Sequence, residues 1–109
     1  MGLKTECKDG CVTVHLSGEI DHHTAGQWRQ QIDYTVSRGH ATTLRMDFAD
    51  VSFMDSSGVG LIMGRYRLMS GCGGRLIIDG ASERMETMMR MAGLDRLPIW
   101  EEERHETHQ

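Results

Sequence analysis

The sequence predicts an α/β domain built on a mixed sheet. Strand-like and helix-like segments alternate along the chain after an opening hairpin, which is the order that β-α-β crossover units produce. Apolar residues recur at a period of two in the strand-like segments and at intervals of three and four in the helix-like ones. A chain of 109 residues is long enough for one such core and too short for two.

The first elements are a β-hairpin and an amphipathic helix. The turn signal Lys8-Asp9-Gly10 separates the β-rich runs LKTEC and CVTVHLSGEI. A helix is then predicted from about Thr24, with Asp21 or Thr24 as its cap and Gly39 as its stop. Its apolar stripe is formed by Ala25, Trp28, Ile32 and Val36.

Two further strands and two further helices complete the predicted order. TTLRMDF is a third strand, and ADVS is predicted as a short polar connection to a second helix that ends near SGCGG. RLIID is a fourth strand, and Ser82 is a good N-cap for a third helix that stops at Gly93. LPIW could supply a last short strand at an edge of the sheet. Residues 1–100 are predicted to form the domain, and the acidic segment 101–109 is predicted to be a solvated tail.

Composition and charge argue against several classes of function. The net charge is −4 and the basic residues are scattered singly, so direct binding to nucleic acid is not expected. No apolar run approaches the roughly 20 residues that a membrane-spanning helix needs. The first ten residues lack the apolar segment of a signal peptide. A cytoplasmic protein without membrane contact is therefore expected.

Two adjacent serines, Ser56 and Ser57, stand where a strand-like run passes into the second helix. They could be a helix cap, a nucleophile, a phosphate cradle or a phosphorylation site. The residues before them are Met54 and Asp55, whereas a hydrolase elbow requires glycine. The following glycines are spaced G-x-G-x-x-x-G, one residue longer than the dinucleotide-binding fingerprint. No catalytic residue is predicted.

No cofactor or metal ion is predicted either. The histidines and cysteines do not repeat the paired spacing of a structural zinc site. The residues considered for it are His22, His23, His105, His108, Cys7, Cys11 and Cys72. The methionines of the third helix are interpreted as core residues, because apolar side chains at helical spacing usually pack inside.

Two segments, LSGEIDHHTA at 16–25 and FMDSSGVGLIMGRY at 53–66, closely resemble the signature segments of STAS domains, the anti-sigma factor antagonists. The residues of these two segments are most similar to those of the sporulation members of the family, and the resemblance extends to about Trp100. It implies a STAS-like single domain. Such a domain has a mixed sheet of four to five strands with helices mainly on one face.

The resemblance also implies a binding module that is not an enzyme. Members of the family bind an anti-sigma factor, which is a serine kinase of the histidine-kinase-like ATPase superfamily, and so release a sigma factor. That kinase phosphorylates the second serine of D-S-S-G, which is Ser57 in this sequence, and a PP2C-type phosphatase reverses the modification. No cofactor is implied.

The partner face is expected on two loops, one after the second strand and one before the second helix. Its expected residues are Asp21, His22, Thr24, Asp55, Ser56, Ser57 and Gly58. Asp55 or Ser56 is expected to cap the second helix, which leaves Ser57 exposed in its first turn. Ser56 is expected to be this cap or a buried hydroxyl. Gly58 is expected to leave room for the kinase active site. Glu19 and Arg65 are further candidates for this face, and Arg65 is otherwise interpreted as a solvated charge on the helix.

Two alternatives to this function stay open from the sequence. The glycines and the helix N-terminus also fit a small nucleotide-binding or nucleotide-hydrolysing protein. A STAS module of another assembly, such as a stress-signalling scaffold or a transporter domain, is the other alternative. The absence of a membrane segment counts against the transporter.

Overall fold

A computed structural model of the chain describes residues 2–100, which form a four-stranded sheet with three α-helices. The strands are β1 (Gly2–Lys8), β2 (Cys11–Ile20), β3 (Thr43–Met54) and β4 (Arg75–Asp79), and the helices are α1 (His22–Gly39), α2 (Ser56–Gly71) and α3 (Glu83–Met91). In the sheet the order is β1-β2-β3-β4. β1 is antiparallel to β2, and the pairs β2–β3 and β3–β4 are parallel. The predicted α/β class and mixed sheet are confirmed.

The hairpin turn forms because its two central residues accept a left-handed backbone. Asp9 has φ 52° and Gly10 has φ 78°, and Lys8 is paired with Cys11 on either side of them. Positive φ at both central residues is the geometry that a tight two-residue hairpin requires, and Asp-Gly is a favoured sequence for it. The turn therefore sets the register of β1 against β2.

The core lies between one face of the sheet and the helices. Alternate residues of the strands point into it, as the period of two predicts, and the apolar stripes of the helices cover them. The fully buried large side chains include Leu16, Ile20, Ile32, Leu44, Met46, Phe48, Ile62, Met69, Leu76, Ile78 and Met89. Because β2, β3 and β4 are parallel, α1 and α2 both start at the edge of the sheet where the strands have their carboxyl ends.

The third strand is longer than the sequence predicts. It continues through ADVS, which was expected to be a connection, and ends at Met54. The pairing with β2 shifts register twice on the way, so β3 contains more residues than the segment of β2 beside it. These irregularities end the alternation of buried residues after Phe48, and the next buried positions are Val51 and Met54. A bulged strand of this kind has no period-two signal to detect.

The prediction of a last strand at LPIW is wrong. This segment makes one isolated bridge, between Ile78 and Trp100, after a single 3-10 turn at Leu94–Arg96. Ile99 is nevertheless fully buried and accepts a hydrogen bond from the backbone N–H of Ile78. Pro98 has no N–H to extend a ladder, which limits the pairing to this contact. The predicted tail at 101–109 lies outside the described residues, so the domain boundary at residue 100 stays a prediction.

Candidate functional site

The two loops that the sequence singles out lie side by side at one edge of the sheet. β2 ends at Ile20 and β3 ends at Met54, and these two residues are paired in the parallel ladder. The backbone N–H of Asp55 then donates to the carbonyl of Ile20 at 3.1 Å. The start of α1 and the start of α2 are therefore adjacent, and both helices present their N-terminal ends at the same edge.

Asp21 caps α1. Its backbone is extended, and its Oδ1 accepts a hydrogen bond from the Thr24 N–H at 2.9 Å. The bond donated by Thr24 holds the pKa of the exposed Asp21 carboxyl below its ordinary value. The carboxylate is thus ionised at neutral pH, and the stabilisation that it gives is lost only as the pH falls below that ordinary value. His22 is exposed beside it.

Asp55 caps α2 in the same manner. Its backbone is extended, and its Oδ1 accepts a hydrogen bond from the Ser57 N–H at 2.8 Å. Ser56 is exposed, whereas Ser57 is half-buried and so less exposed than expected. The expectation that Ser56 is a cap or a buried hydroxyl is therefore wrong, because the neighbouring carboxylate already fills the capping position. The two serines occupy positions about 100° apart around the helix axis, as adjacent helical residues do.

Two of the seven predicted contact residues lie inside the domain. Thr24 is buried, with 5% of its surface exposed. Gly58 is buried against β3, and a Cβ at this position would overlap Cγ and Sδ of Met54 and lie 3.5 Å from Cγ2 of Ile20. The glycine therefore has a packing role between α2 and the strand ends, and the expectation that it leaves room for a kinase stays a prediction.

Arg65 is a buried charge that the sequence analysis interpreted as solvated. Its side chain is 7% exposed, and its Nε lies 2.8 Å from Oδ1 of Asp33 on α1. These atoms are close enough for an ion pair but are not aligned for a hydrogen bond, and Nη1 has no hydrogen-bond partner among residues 2–100. Burial lowers the pKa of Arg65, and Asp33 opposes this shift. One signal was available: Arg65 stands four residues from both Leu61 and Met69, in line with the buried stripe.

Phe53 is an exposed aromatic side chain beside the same edge, and sequence reasoning also missed it. Its side chain is 49% exposed, and in the ladder it is paired with Glu19, which is exposed as well. Large aromatic groups are frequent anchors in protein interfaces. The edge therefore combines carboxylates, two serine hydroxyls and one exposed aromatic ring.

In the part of the chain that the structure describes, the acidic, histidine and cysteine side chains form no group of three that could hold a metal ion. Within the same residues, no helix is both long and apolar enough to cross a membrane.

Comparison with known proteins identifies the family. Residues 3–107 match the family described as "STAS domain". The chain belongs to the STAS domain family. An "Anti-sigma F factor antagonist" from Paenibacillus polymyxa is 34% identical to this STAS domain over 102 residues, which are 93% of the chain and 87% of the relative. A protein of the same name from Lysinibacillus sphaericus is 40% identical over 83 residues, which are 76% of the chain and 71% of the relative.

Solved structures of SpoIIAA have the same fold as this STAS domain. The anti-sigma factor antagonist SpoIIAA in its unphosphorylated form superimposes with a TM-score of 0.75 at 33% identity, covering 93% of this chain and 88% of that one. The Bacillus cell fate determinant SpoIIAA in the phosphorylated form gives a TM-score of 0.74 at 33% identity, covering 98% and 97%. The predicted STAS fold is confirmed.

Substitution of Asp21 tests how much the cap of α1 serves the fold of this STAS domain. Asp21→Ala removes the acceptor for the Thr24 N–H, so we expect the thermal midpoint to fall by a few degrees while the domain stays folded. Asp21→Asn keeps an acceptor oxygen and should restore most of the loss. Circular dichroism melts at neutral pH measure both variants. An Asp21→Ala protein that melts like the wild type would exclude the capping role.

Proposed function

We propose that this STAS protein is an anti-sigma factor antagonist. In its unphosphorylated form it binds an anti-sigma factor, so that a sigma factor is released, and phosphorylation of Ser57 ends the binding. The observation that carries the proposal is the position of Ser57, in the first turn of α2 directly after a capping aspartate and beside the loop of Asp21. The names of the relatives from P. polymyxa and L. sphaericus support it.

A phosphate on Ser57 is compatible with the fold of the protein. The N-terminus of a helix carries a partial positive charge and free N–H groups, and both favour an anion there. Phosphorylation adds about −1.5 to −2 charges at neutral pH. The two capping carboxylates, Asp21 and Asp55, already stand at this edge, so the modification concentrates negative charge on one small surface. A partner that packs against this edge has to bury that charge, which is unfavourable, so the complex is weakened.

The partner face consists of the exposed and half-buried groups at this edge. They are Asp21, His22, Ser56 and the half-buried Asp55 and Ser57, to which we add Phe53. Thr24 and Gly58 are buried beneath this surface and support the two loops.

The partners are an anti-sigma factor that is also the serine kinase for Ser57, and a PP2C-type phosphatase. The existence of SpoIIAA structures in an unphosphorylated and a phosphorylated form supports modification by phosphate. The protein itself catalyses nothing in this scheme.

Variants of the two serines test the proposal. Ser57→Ala should still bind the anti-sigma factor of the same organism, because Asp55 caps α2 through the backbone N–H of residue 57. It should accept no phosphate, because it has no hydroxyl. Ser57→Asp should stay folded and bind about tenfold or more weakly, since even one desolvated charge costs over 1 kcal/mol. Ser56→Ala is the matched control, and its exposed hydroxyl predicts unchanged melting, binding and phosphorylation. Calorimetry measures binding, and mass spectrometry after incubation with the kinase, ATP and magnesium locates the phosphate.

Two outcomes would contradict the proposal. Phosphate found on Ser56 with Ser57 unmodified would move the switch to the exposed hydroxyl. A Ser57→Asp protein that is folded and binds as tightly as the wild type would show that charge at this position does not control the complex.

A further inference from the structure

His15 lies between two carboxylates on the face of the sheet that points away from the core. It is on β2 between the buried residues Val14 and Leu16, so strand alternation directs its side chain outward. Its Nδ1 is 2.8 Å from Oδ2 of Asp47 on β3, and its Nε2 is 3.3 Å from Oε1 of Glu6 on β1. One imidazole ring thus connects three neighbouring strands.

We propose that His15 is a proton-dependent clasp that fastens the edge strand β1 to the sheet. A carboxylate only accepts hydrogen bonds, so each contact requires an N–H on the histidine. Imidazole carries a single N–H when neutral and one on each nitrogen when protonated. Both contacts can therefore be hydrogen bonds only in the cationic form. On deprotonation one of the two carboxylates loses its donor and meets a nitrogen lone pair.

The contact to Glu6 is the one that deprotonation breaks. Asp47 lies nearer to the ring, and its Oδ1 is fixed by a hydrogen bond from the Ala49 N–H at 2.9 Å. Glu6 is more exposed, and its distance to the ring is longer. The remaining N–H of a neutral ring therefore stays with Asp47. β1 then loses a side-chain attachment to β2, while the β2–β3 contact persists.

Two carboxylates and two cations surround the ring, and the hydrogen bonds to the carboxylates favour its protonated form. Glu6 and Lys4 come from β1, where Lys4 is the register partner of His15, and Asp47 and Arg45 come from β3. Arg45 lies within ion-pair distance of Asp79 on β4, at 3.4 Å. Partial burial raises the pKa of Asp47, but hydrogen bonds from Ala49 and His15 outweigh it and the pKa lies below its ordinary value. The hydrogen bonds to Asp47 and Glu6 raise the pKa of His15 above its ordinary 6.5.

The sign of the pH dependence follows from this shift. A pKa that is higher in the folded protein than in the unfolded chain means that protonation favours the folded state. The stabilisation by the clasp is fully present below pH 6.5, and it is lost as the pH rises through the raised pKa of His15. The clasp therefore holds β1 at mildly acidic pH, where the two carboxylates are still ionised, and loosens it in base.

Amide hydrogen exchange of the whole chain at about pH 5.5 and about pH 8.5 tests the clasp, with protection factors corrected for the intrinsic rate at each pH. We expect the protection of β1 amides to fall about two- to fivefold at the higher pH, the effect of one exposed ion pair. The amides of β3 are the internal reference and should change less. His15→Gln should remove the difference between the two pH values, and Glu6→Gln, a change on the exposed side of the ring, should do the same.

The inference is overturned if wild-type β1 is equally protected at both pH values, or if His15→Gln keeps the wild-type pH dependence. Equal losses in β1 and β3 would overturn it too, because they would indicate a global effect of pH. An NMR titration of the His15 ring gives a second test. Its midpoint should lie above 6.5 in the wild type and shift down in Glu6→Gln.

Discussion

Replacement of Gly58 by alanine is expected to destabilise the domain by about 2 kcal/mol. The new Cβ would overlap Cγ and Sδ of Met54, which is 3% exposed, so a buried side chain would have to move. Overpacking of this kind outweighs the gain of up to about 1 kcal/mol that alanine normally gives over glycine within a helix. Urea unfolding of the variant, with the wild type beside it, measures the difference.

Gly60→Ala is the matched control for this experiment. Gly60 lies two residues further along α2, and a Cβ there would have no heavy atom within 4 Å. We expect this variant to be more stable than the wild type by about 0.5–1 kcal/mol, as helix propensity alone predicts. A Gly58→Ala protein with unchanged stability that the kinase no longer phosphorylates would instead favour a role for Gly58 in admitting the kinase.

Replacement of Asp33 by alanine is expected to destabilise the domain by about 3 kcal/mol. The substitution leaves the guanidinium of Arg65 buried between α1 and α2 without its counter-charge, and an uncompensated buried charge is costly. We take the lower end of the usual range because the Asp33 side chain is 37% exposed. Arg65→Met should cost less, since it removes the buried charge and leaves a carboxylate that reaches solvent. Urea unfolding of the two variants gives the comparison.

Asp79→Ala provides the control for an exposed ion pair. Asp79 lies 3.4 Å from Arg45, and both side chains are at least 31% exposed. Breaking such a pair costs about 1 kcal/mol or less. If Asp33→Ala and Asp79→Ala are equally mild, Arg65 is hydrated in solution and the buried ion pair does not contribute to the packing of α1 on α2.

Periodicity predicted most of the fold because most of its elements have one face in the core. α1 is an example, since its stripe of Ala25, Trp28, Ile32 and Val36 is buried as predicted. The second half of β3 could not be predicted in this way, because two shifts of register interrupt the alternation after Phe48. The prediction for the segment before Trp100 is wrong for a different reason. Ile99 is buried and Leu97 and Trp100 are partly buried against the core, but the segment forms one bridge and no ladder.

The site was predicted in outline and not in detail. The motif located both loops, and Asp21 was predicted as a cap. The choice between Asp55 and Ser56 as the cap of α2 depends on side-chain orientation, which no spacing encodes. The burial of Gly58 depends on how closely the start of α2 packs against Met54, and no spacing in the sequence encodes that contact. The ion pair of Arg65 joins two helices that are separated in sequence by a whole strand.

The parallel pairing of β2 with β3 affects the order in which the molecule can be built during folding. The hairpin of β1 and β2 closes over a two-residue turn, so it can form early and locally. The parallel pairing of β2 with β3, which ends with Ile20 opposite Met54, has to close a loop that contains all of α1. The conformational entropy of this loop is lost before the new contacts compensate for it. The serine motif exists in every nascent chain as a contiguous segment, but the aspartate loop comes beside it only after this late step. If the kinase that we propose contacts both loops, it would distinguish the folded antagonist from an unfolded or truncated one.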